Sequence, residues 1–350
     1  MNLYAEDCAI VNNKMYMVAY SINLIYRVDL ETAEIEIIGP LYDAPIEAMR
    51  VSTCILSNNE NMYFLPMDAR WLSCLNTDRM KWKSIEIEDK KCMNRFFGGV
   101  IYNNQIHMIG SCYPAIVVVD LSSSKVETIG TEIYDSLKKE REQHNDCYIR
   151  KDFAIVDRKL YAASCVSNHI IVYDLQKRML EKRCVGGEGM RFSGIAYDGK
   201  NFWLSARNTM EFYRWNEITD EFDTFILEEG KRDKCYLGGV IFDGKNIVIM
   251  GMKNEVSFVI NPFANNILQS IVKIGKSYTF VKNYGDMDCC MTPEGIIEVR
   301  SVDVFDKIIK RINVNIEDAI VMNYMNKYDG FIQETNLLTL SGFMDVFVKG

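Results

Sequence analysis

The sequence predicts an all-β protein built from seven consecutive four-stranded units. Three observations support this prediction. Short apolar strands separated by polar turns recur along the chain, and the clearest copies begin at Phe96, Phe192 and Tyr236. A tight-turn dipeptide recurs about every 45 residues, and in most copies an Asp or Asn follows it at a similar distance. Four short strands in a repeat of this length are typical of a β-propeller blade.

The turn dipeptides set the register of the repeat. They are Asn12-Asn13, Asn58-Asn59, Asn103-Asn104, Asp157-Arg158, Asp198-Gly199, Asp243-Gly244 and Gly285-Asp286. Asn, Asp and Gly tolerate the positive φ angles of tight hairpins, so each dipeptide is expected to join the first and second strands of its unit. An acceptor side chain that can bond nearby backbone N–H groups is expected to close each third strand. These acceptors are Asp29, Asn76, Asp120, Asp174, Asn216, Asn261 and Asp303.

The expected organisation is a single propeller domain over residues 1–350. Its blades are predicted at about 5–40, 50–88, 95–131, 149–186, 191–228, 235–275 and 277–315. Residues 132–147 interrupt the repeat between blades three and four, and charged helix formers from Ser136 to His144 predict a short helix there. A tail at 316–350 is predicted to hold a strand (330–335) and a helix (340–348). A set of β-sandwich domains is the competing fold, and the mode of ring closure is open.

The repeat resembles that of bacterial β-propeller proteins in the broad kelch-like and WD-like group. The doublets Gly98-Gly99 and Gly238-Gly239 open the first strand, whereas the kelch doublet closes the second strand. The Trp-Asp dipeptide that ends WD repeats is absent, and Trp215-Asn216 is its nearest match. The resemblance therefore implies a seven-bladed propeller without a subfamily. The group includes scaffolds, lactonases, lyases and sugar-binding modules, so the resemblance does not select a function.

Composition narrows the classes of partner and compartment. The 350 residues carry 40 Lys and Arg against 48 Asp and Glu, a net charge of −8, which argues against general binding to nucleic acid or anionic membranes. No signal-peptide pattern and no apolar run of transmembrane length is found in the sequence. The eleven cysteines include no Cys-x-x-Cys motif, and most are expected to be buried reduced thiols. We therefore expect a cytoplasmic protein.

Motifs for catalysis and cofactor binding were not found. The sequence holds no Gly-x-Ser-x-Gly, P-loop, His-Glu-x-x-His, EF-hand or dinucleotide fingerprint, so no catalytic residue, metal or cofactor is predicted. Of three histidines, His107 is expected in the core or between blades, and His169 in a loop on the ligand face. Gly186-Gly187-Glu188-Gly189 is expected to be a turn between blades. A calcium site is the remaining alternative, and its ligands would be Asp7, Asp68 and Asp152.

One face of the predicted propeller gathers cations. Loops that lead into the first strands, and loops between second and third strands, usually form the ligand face. The loops that lead into the first strands hold Arg50, Arg95, Arg150, Lys151, Arg191, Lys234 and Lys276. The loops between second and third strands hold Arg70, Arg207 and Lys253. Arginine forks bind phosphates and carboxylates bidentately, which predicts an electropositive mouth for an anionic ligand. The candidate ligand-binding residues are Arg50, Arg70, Arg95, Arg150, Arg191, Arg207, His169, Trp71 and Tyr113.

Other interpretations of these residues stay open. The cations can instead pair with Asp7, Asp68, Asp152 or Asp233 or solvate the rim, and the aromatics can cap the blade interior. The favoured function is a binding module for a partner protein or peptide, or for an anionic small molecule. The alternatives are a lyase or hydrolase acting in the axial pocket and a carbohydrate-binding propeller. A carboxylate or His169 with a shifted pKa in a closed pocket would favour an enzyme.

Overall fold

The computed structural model of the chain describes residues 3–41, 44–58, 60–87, 92–227, 237–251, 256–305, 307–317 and 320–321. These residues form seven antiparallel sheets, and each sheet consists of four consecutive strands. The prediction of a seven-bladed, four-stranded propeller is confirmed. In each sheet the strands pair in chain order, as expected when short turns join neighbouring antiparallel strands.

The strand bounds of the first four blades follow the predicted register. Blade one holds β1 (Cys8–Val11), β2 (Lys14–Val18), β3 (Ile25–Asp29) and β4 (Ile35–Gly39). Blade two holds β5 (Ser52–Ser57), β6 (Asn61–Pro66), β7 (Trp71–Asn76) and β8 (Lys81–Glu86). Blade three holds β9 (Phe96–Tyr102), β10 (Gln105–Gly110), β11 (Ile116–Asp120) and β12 (Val126–Ile129). Blade four holds β13 (Ile149–Val156), β14 (Lys159–Ser164), β15 (His169–Asp174) and β16 (Met179–Cys184).

The last three blades repeat the same order. Blade five holds β17 (Phe192–Tyr197), β18 (Phe202–Ala206), β19 (Glu211–Trp215) and β20 (Phe222–Ile226). Blade six holds β21 (Leu237–Phe242), β22 (Ile247–Gly251), β23 (Ser257–Ile260) and β24 (Val272–Ile274), and a 3₁₀ turn at Leu268–Ser270 precedes its last strand. Blade seven holds β25 (Phe280–Tyr284), β26 (Met287–Met291), β27 (Ile296–Ser301) and β28 (Ile308–Asn313).

The predicted turn chemistry is found in the backbone. Six of the seven turn dipeptides are fully described, and each joins the first and second strands of its blade. In the remaining one, Asn58-Asn59 of blade two, Asn59 lies outside the described residues. Asn103 and Asn104 have φ angles of 47° and 58°, in the left-handed region that Asn tolerates. At the end of the third strand, Asp120 Oδ1 accepts the N–H groups of Ser122 and Ser123 at 3.1 and 2.8 Å. Local side-chain acceptors therefore start the turn into the fourth strand.

Apolar and aromatic side chains fill the spaces between neighbouring blades. His107 of β10 lies between blades three and four, where its Nδ1 is 2.8 Å from the hydroxyl of Tyr173, as the sequence predicts. Between blades four and five, Phe202 packs on Tyr161 at 4.5 Å and on Trp215 at 5.2 Å between ring centroids. The apolar side chains on the faces of each blade pack against the neighbouring blades, and this packing holds the ring together.

The ring closes by packing blade seven against blade one, because each sheet is made of four consecutive strands. The segment before β1 helps to join the two blades. The Leu3 N–H donates to the Val314 carbonyl at 3.1 Å, and Thr279 Oγ1 donates to the Ala5 carbonyl at 2.6 Å. The buried side chains of both blades also form one apolar cluster.

The insertion between blades three and four forms two short helices, α1 (Thr131–Ser136) and α2 (Lys138–His144). The prediction of a helical insertion is confirmed, although Leu137 divides the helix into two. Tyr134 anchors α1: it is fully buried, its hydroxyl donates to the Gly110 carbonyl at 3.1 Å, and its ring meets Tyr148 edge-on at 5.2 Å. In the part of the chain that the structure describes, no helix is long and apolar enough to cross a membrane. The predicted tail strand and helix lie outside the described residues.

Candidate axial binding site

From blade one to blade six, the first strands of neighbouring blades contact one another around the propeller axis, and a cavity lies along that axis. The larger part has a volume of about 1120 Å³, and loops that lead into the first strands form much of its wall. A smaller part of about 360 Å³ adjoins it. Four residues line both parts, so the two form one axial passage. They are Phe97, Lys151, Asp152 and Met250.

The wall of the larger cavity carries more cationic than anionic side chains. Its cations are Arg50, Lys138, Arg141, Arg150, Lys151 and Arg207. Its carboxylates are Glu6, Asp135, Asp146 and Asp152. Among the described residues, the wall therefore has six cations against four carboxylates, in a chain whose net charge is −8. The charge of this site and the charge of the whole protein have opposite signs.

Two of the wall arginines are held by carboxylates. Arg207 Nε and Nη2 donate to the two oxygens of Asp146 at 2.7 and 2.9 Å. The side chains of this pair are only 8% and 15% exposed. Arg50 Nη2 lies 3.0 Å from Asp68, and its Nη1 donates to Asn94 Oδ1 at 3.0 Å. Such pairs fix the orientation of the guanidinium groups at the wall.

Lys151 lies at the centre of the passage. It is on β13, between Ile149 and Phe153 where the pairing with β14 is irregular, and it lines both parts of the cavity. Its Nζ is buried and has no hydrogen-bond acceptor among the described residues. The nearest charge partner is Asp7, at 3.7 Å, and the ring of Phe280 lies 5.7 Å away. An ammonium has three donors, so this buried group is far from satisfied by the protein.

Three carboxylates near the axis have shifted pKa values. Burial raises the pKa of Asp152 to about 6, although the Lys151 charge opposes the rise. Burial also raises the pKa of Glu6, against the charges of Lys151 and Arg150. For Asp7, burial is outweighed by the charges of Lys282 and Lys151, which lower its pKa. The same low-dielectric environment therefore favours protonation in two of these groups and ionisation in the third.

Glycines make room for Asp152. Its Oδ2 accepts the Val240 N–H at 3.1 Å, which requires close approach to blade six. A Cβ on Gly239 would lie 1.8 Å from that oxygen, and a Cβ on Gly194 would lie 3.1 Å from it. The Gly-Gly doublet that opens the first strand thus has a packing role at the axis.

Aromatic rings form part of the wall. Tyr4 and Tyr20 stack on each other, with centroids 5.0 Å apart and planes inclined by 23°. Tyr148 and Tyr278 also line the cavity. Tyr4 precedes the first repeat, so the repeat pattern of the sequence gives no signal for it.

Of the nine candidate ligand-binding residues, three line the cavity: Arg50, Arg150 and Arg207. Arg95 is 3% exposed, and its Nε is 3.4 Å from the Cys92 carbonyl. Tyr113 is fully buried and packs on Phe96 at 5.0 Å between centroids, so it belongs to the blade interior. The other four do not line the cavity. They are Arg70, Arg191, His169 and Trp71. Their part in ligand binding stays a prediction.

The insertion supplies wall residues that the repeat pattern did not reveal. Lys138 and Arg141 of α2, and Asp146 just after it, line the cavity. Cys112 and Cys147 also line it. The charged composition of the insertion was the available signal, but its direction over the ring depends on tertiary packing. Lys234 and Lys253 lie outside the described residues.

The three aspartates of the calcium alternative already have protein partners. Asp68 Oδ1 accepts the Asn94 N–H at 2.8 Å, Asp7 Oδ2 accepts the Ile55 N–H at 3.0 Å, and Asp152 accepts the Val240 N–H. Within the described ranges, no three His, Cys, Asp or Glu side chains lie close enough together to hold a metal ion.

No protein-family model and no curated protein matches the chain. Solved structures do resemble it. A virginiamycin B lyase from Staphylococcus aureus, in a catalytically inactive form with quinupristin, is 12% identical, with a TM-score of 0.63 over 85% of this chain and 96% of that one. A chain of the Mitotic Checkpoint Complex is 7% identical, with a TM-score of 0.60 over 86% and 90%.

BamB from Moraxella catarrhalis is 12% identical, with a TM-score of 0.56 over 84% of this chain and 83% of that one. At these identities the likeness concerns the fold, and the neighbours differ widely in what they do. The seven four-stranded blades and these neighbours show that the chain has the fold of a seven-bladed β-propeller, and no subfamily is assigned.

Proposed function

We propose that the protein is a binding module that takes an anionic ligand into its axial cavity. The ligand class is a phosphate or carboxylate group, carried by a small molecule or by an acidic peptide. The observation that carries the proposal is Lys151, a buried ammonium in the passage with no hydrogen-bond acceptor among the described residues. A buried donor of this kind calls for an acceptor, and an anionic oxygen is the acceptor that also offsets its charge.

The surrounding charges support the same ligand. Arg150 is adjacent to Lys151 in β13, and Arg50 lies on the same cavity wall. Arginine has five donors, so Arg50 can keep its bonds to Asp68 and Asn94 and still donate to a ligand. Because the side chains of Arg50 and Lys151 are mostly buried, these cations act at a lower effective dielectric than they would on an open surface.

The experiment compares Lys151→Gln with Lys125→Gln. Both variants lose one positive charge, but Lys125 is exposed in the turn between β11 and β12, away from the cavity. Binding of pyrophosphate, citrate and tetraglutamate is measured by isothermal titration calorimetry at low and moderate salt. We expect at least one anion to bind. Lys151→Gln should weaken it at least tenfold, about 1.4 kcal/mol, as for loss of a charge-assisted hydrogen bond.

Two results would overturn the proposal. One is the failure of all three anions to bind the wild-type protein even at low salt. The other is an equal loss of affinity in the Lys125→Gln control, which would make the effect one of overall charge.

An enzyme is a second candidate, because of one observation. Asp152 is a partly exposed carboxylate whose pKa desolvation raises to about 6, and it lies beside Lys151 in the passage. A group that titrates near neutrality can serve as a general acid or base on a bound anion, in a lyase or hydrolase reaction. Virginiamycin B lyase and streptogramin B lyase share the fold, which makes it compatible with lyase chemistry.

The enzyme candidate is tested with quinupristin and 4-nitrophenyl phosphate. Product formation is followed by mass spectrometry and absorbance for the wild type and for Asp152→Asn. Turnover that falls at least a hundredfold in Asp152→Asn would support the candidate. Turnover that Asp152→Asn leaves unchanged would rule out this role for Asp152.

The carbohydrate-binding alternative gains no specific support from the wall aromatics. Tyr4 and Tyr20 cover each other by stacking, so the faces in contact are closed to a sugar ring.

A further inference from the structure

Two cysteines that are distant in the sequence meet at the wall of the axial cavity. Cys112 follows β10 in blade three, and Cys147 follows the insertion helix α2. Their Sγ atoms are 2.8 Å apart, and both are free thiols in this structure. Each side chain is nearly buried, at 8% and 9% exposure, yet each lines the cavity. We propose that Cys112 and Cys147 are a reversible disulfide site that joins the insertion to blade three.

The backbone on either side holds the two cysteines in place. The Tyr148 N–H donates to the Ser111 carbonyl at 2.8 Å, and Ser111 Oγ donates to the Ile149 carbonyl at 2.7 Å. These bonds tie the residue before Cys112 to the residues after Cys147. Disulfides need close approach of two backbones with facing side chains. Here that approach exists in the reduced state, so oxidation requires only a small movement of the sulfur atoms.

The local chemistry gives the two thiols different roles. The hydrogen bond from Cys112 lowers the pKa of Cys147 to about 7 against the opposing effect of burial, and Ser111 and the charge of Arg150 act in the same direction. The same hydrogen bond and burial raise the pKa of Cys112. Because the thiolate is the nucleophile, Cys147 is the attacking group and Cys112 the resolving thiol.

The oxidant is a peroxide small enough to enter the cavity. The Cys147 thiolate attacks one peroxide oxygen, the O–O bond breaks, and the departing hydroxide takes a proton to become water, which leaves a sulfenic acid. The Cys112 sulfur then attacks the sulfenic sulfur, the S–O bond breaks, and a second water leaves with the thiol proton. Two thiols and one hydrogen peroxide thus become one disulfide and two waters.

Several other cysteines lack this environment. Burial raises the pKa of the Cys8, Cys54 and Cys165 thiols, which favours their protonated, unreactive form. The disulfide site is independent of the anion-binding proposal. It does adjoin the same wall, because Asp146, the partner of Arg207, directly precedes Cys147.

The experiment oxidises the full-length reduced protein with hydrogen peroxide. Remaining thiols are alkylated, and the unreduced digest is analysed by mass spectrometry. We expect a cross-linked peptide pair containing Cys112 and Cys147, a loss of two of the eleven titratable thiols, and complete reversal by dithiothreitol. The cross-link is read in the wild-type protein, so the result does not depend on the folding of a variant.

Variants assign the roles. In Cys112→Ser, we expect Cys147 to stop at sulfenic acid, which dimedone traps; Cys184→Ser removes an exposed cysteine and should leave the cross-link unchanged. The proposal is overturned if peroxide oxidises Cys184 while Cys112 and Cys147 are both recovered as separately alkylated thiols. Recovery of Cys147 cross-linked mainly to a cysteine other than Cys112 would also overturn it.

Discussion

Replacing Asp152 by Asn should make the protein more stable at neutral pH. The Asp152 side chain lies at the axis and is only partly exposed, and desolvation raises its pKa from 3.8 to about 6. The folded protein therefore holds a proton that the unfolded chain has already released between these pH values. Stability falls as the pH rises through this window, because ionising the folded carboxylate is unfavourable. Asparagine keeps an oxygen that can accept the Val240 N–H but carries no charge.

The size of the effect follows from the two pKa values. A rise from 3.8 to about 6 corresponds to up to about 3 kcal/mol at pH values above 6. About half of that penalty is present by pH 5, and almost none remains below pH 3.5. Asp152→Asn should thus gain up to about 3 kcal/mol over the wild type between pH 3.5 and pH 7.5. Glu6 titrates in the same direction and remains in the variant, so some pH dependence persists.

The assay is urea denaturation of both proteins at pH 3.5, 5 and 7.5, with Asp286→Asn as the control. Asp286 is exposed in the turn between β25 and β26, so the control removes a carboxylate without relieving burial. A stability difference between Asp152→Asn and the wild type that is the same at all three pH values would refute the reasoning. Loss of stability at pH 7.5 in Asp152→Asn would refute it more strongly.

Three further predictions concern ion pairs and close packing. Arg207→Ala leaves Asp146 charged and mostly buried, so it should cost about 3 kcal/mol in denaturation, and the double variant with Asp146→Ala should recover part of that loss. Glu298 is fully buried; its hydrogen bonds to neighbouring cations outweigh burial and lower its pKa to about 2. The stability that ionised Glu298 contributes is therefore present above pH 4.5 and is lost as the pH falls through 2. Glu298→Gln should lower the free energy of unfolding by up to about 3 kcal/mol at pH 7, a value that solvent screening of the partly exposed cations reduces. At pH 2 the same substitution should have very little effect. Gly239→Ala should lower the melting temperature, because its Cβ would meet Asp152 Oδ2 at 1.8 Å and cost about 1–3 kcal/mol; an unchanged melting temperature would contradict the close approach.

Much of the fold can be predicted from the sequence because its signals are local. A dipeptide such as Asn103-Asn104 makes a hairpin through its own φ preferences, and Asp120 starts the next turn through bonds to N–H groups two and three residues ahead. Repetition of these signals sets the number and order of the blades. His107 could likewise be assigned to the core or a blade interface, since it lies within an apolar strand.

The site could be predicted only in outline. Arg50 and Arg150 occupy similar positions before their turns, as does Arg95, yet Arg95 is buried and does not line the cavity. The repeat register places a residue at one face of the ring, but the distance of its side chain from the axis depends on how neighbouring blades tilt and pack. Lys151 shows the same limit: its position next to Arg150 predicts a cation on this face, whereas its burial without an acceptor is visible only in three dimensions.

The sequence by itself determined the all-β repeat, the number of blades and the place of the helical insertion. Only the tertiary structure decided which charges meet at the axis. It also decided that the Sγ atoms of Cys112 and Cys147, which are 35 residues apart in the chain, lie 2.8 Å from each other. The physical reason is the range of the interactions. Turns and strand pairing depend on residues near in sequence, whereas the cavity is formed by segments that contact one another only after the blades have packed and the ring has closed.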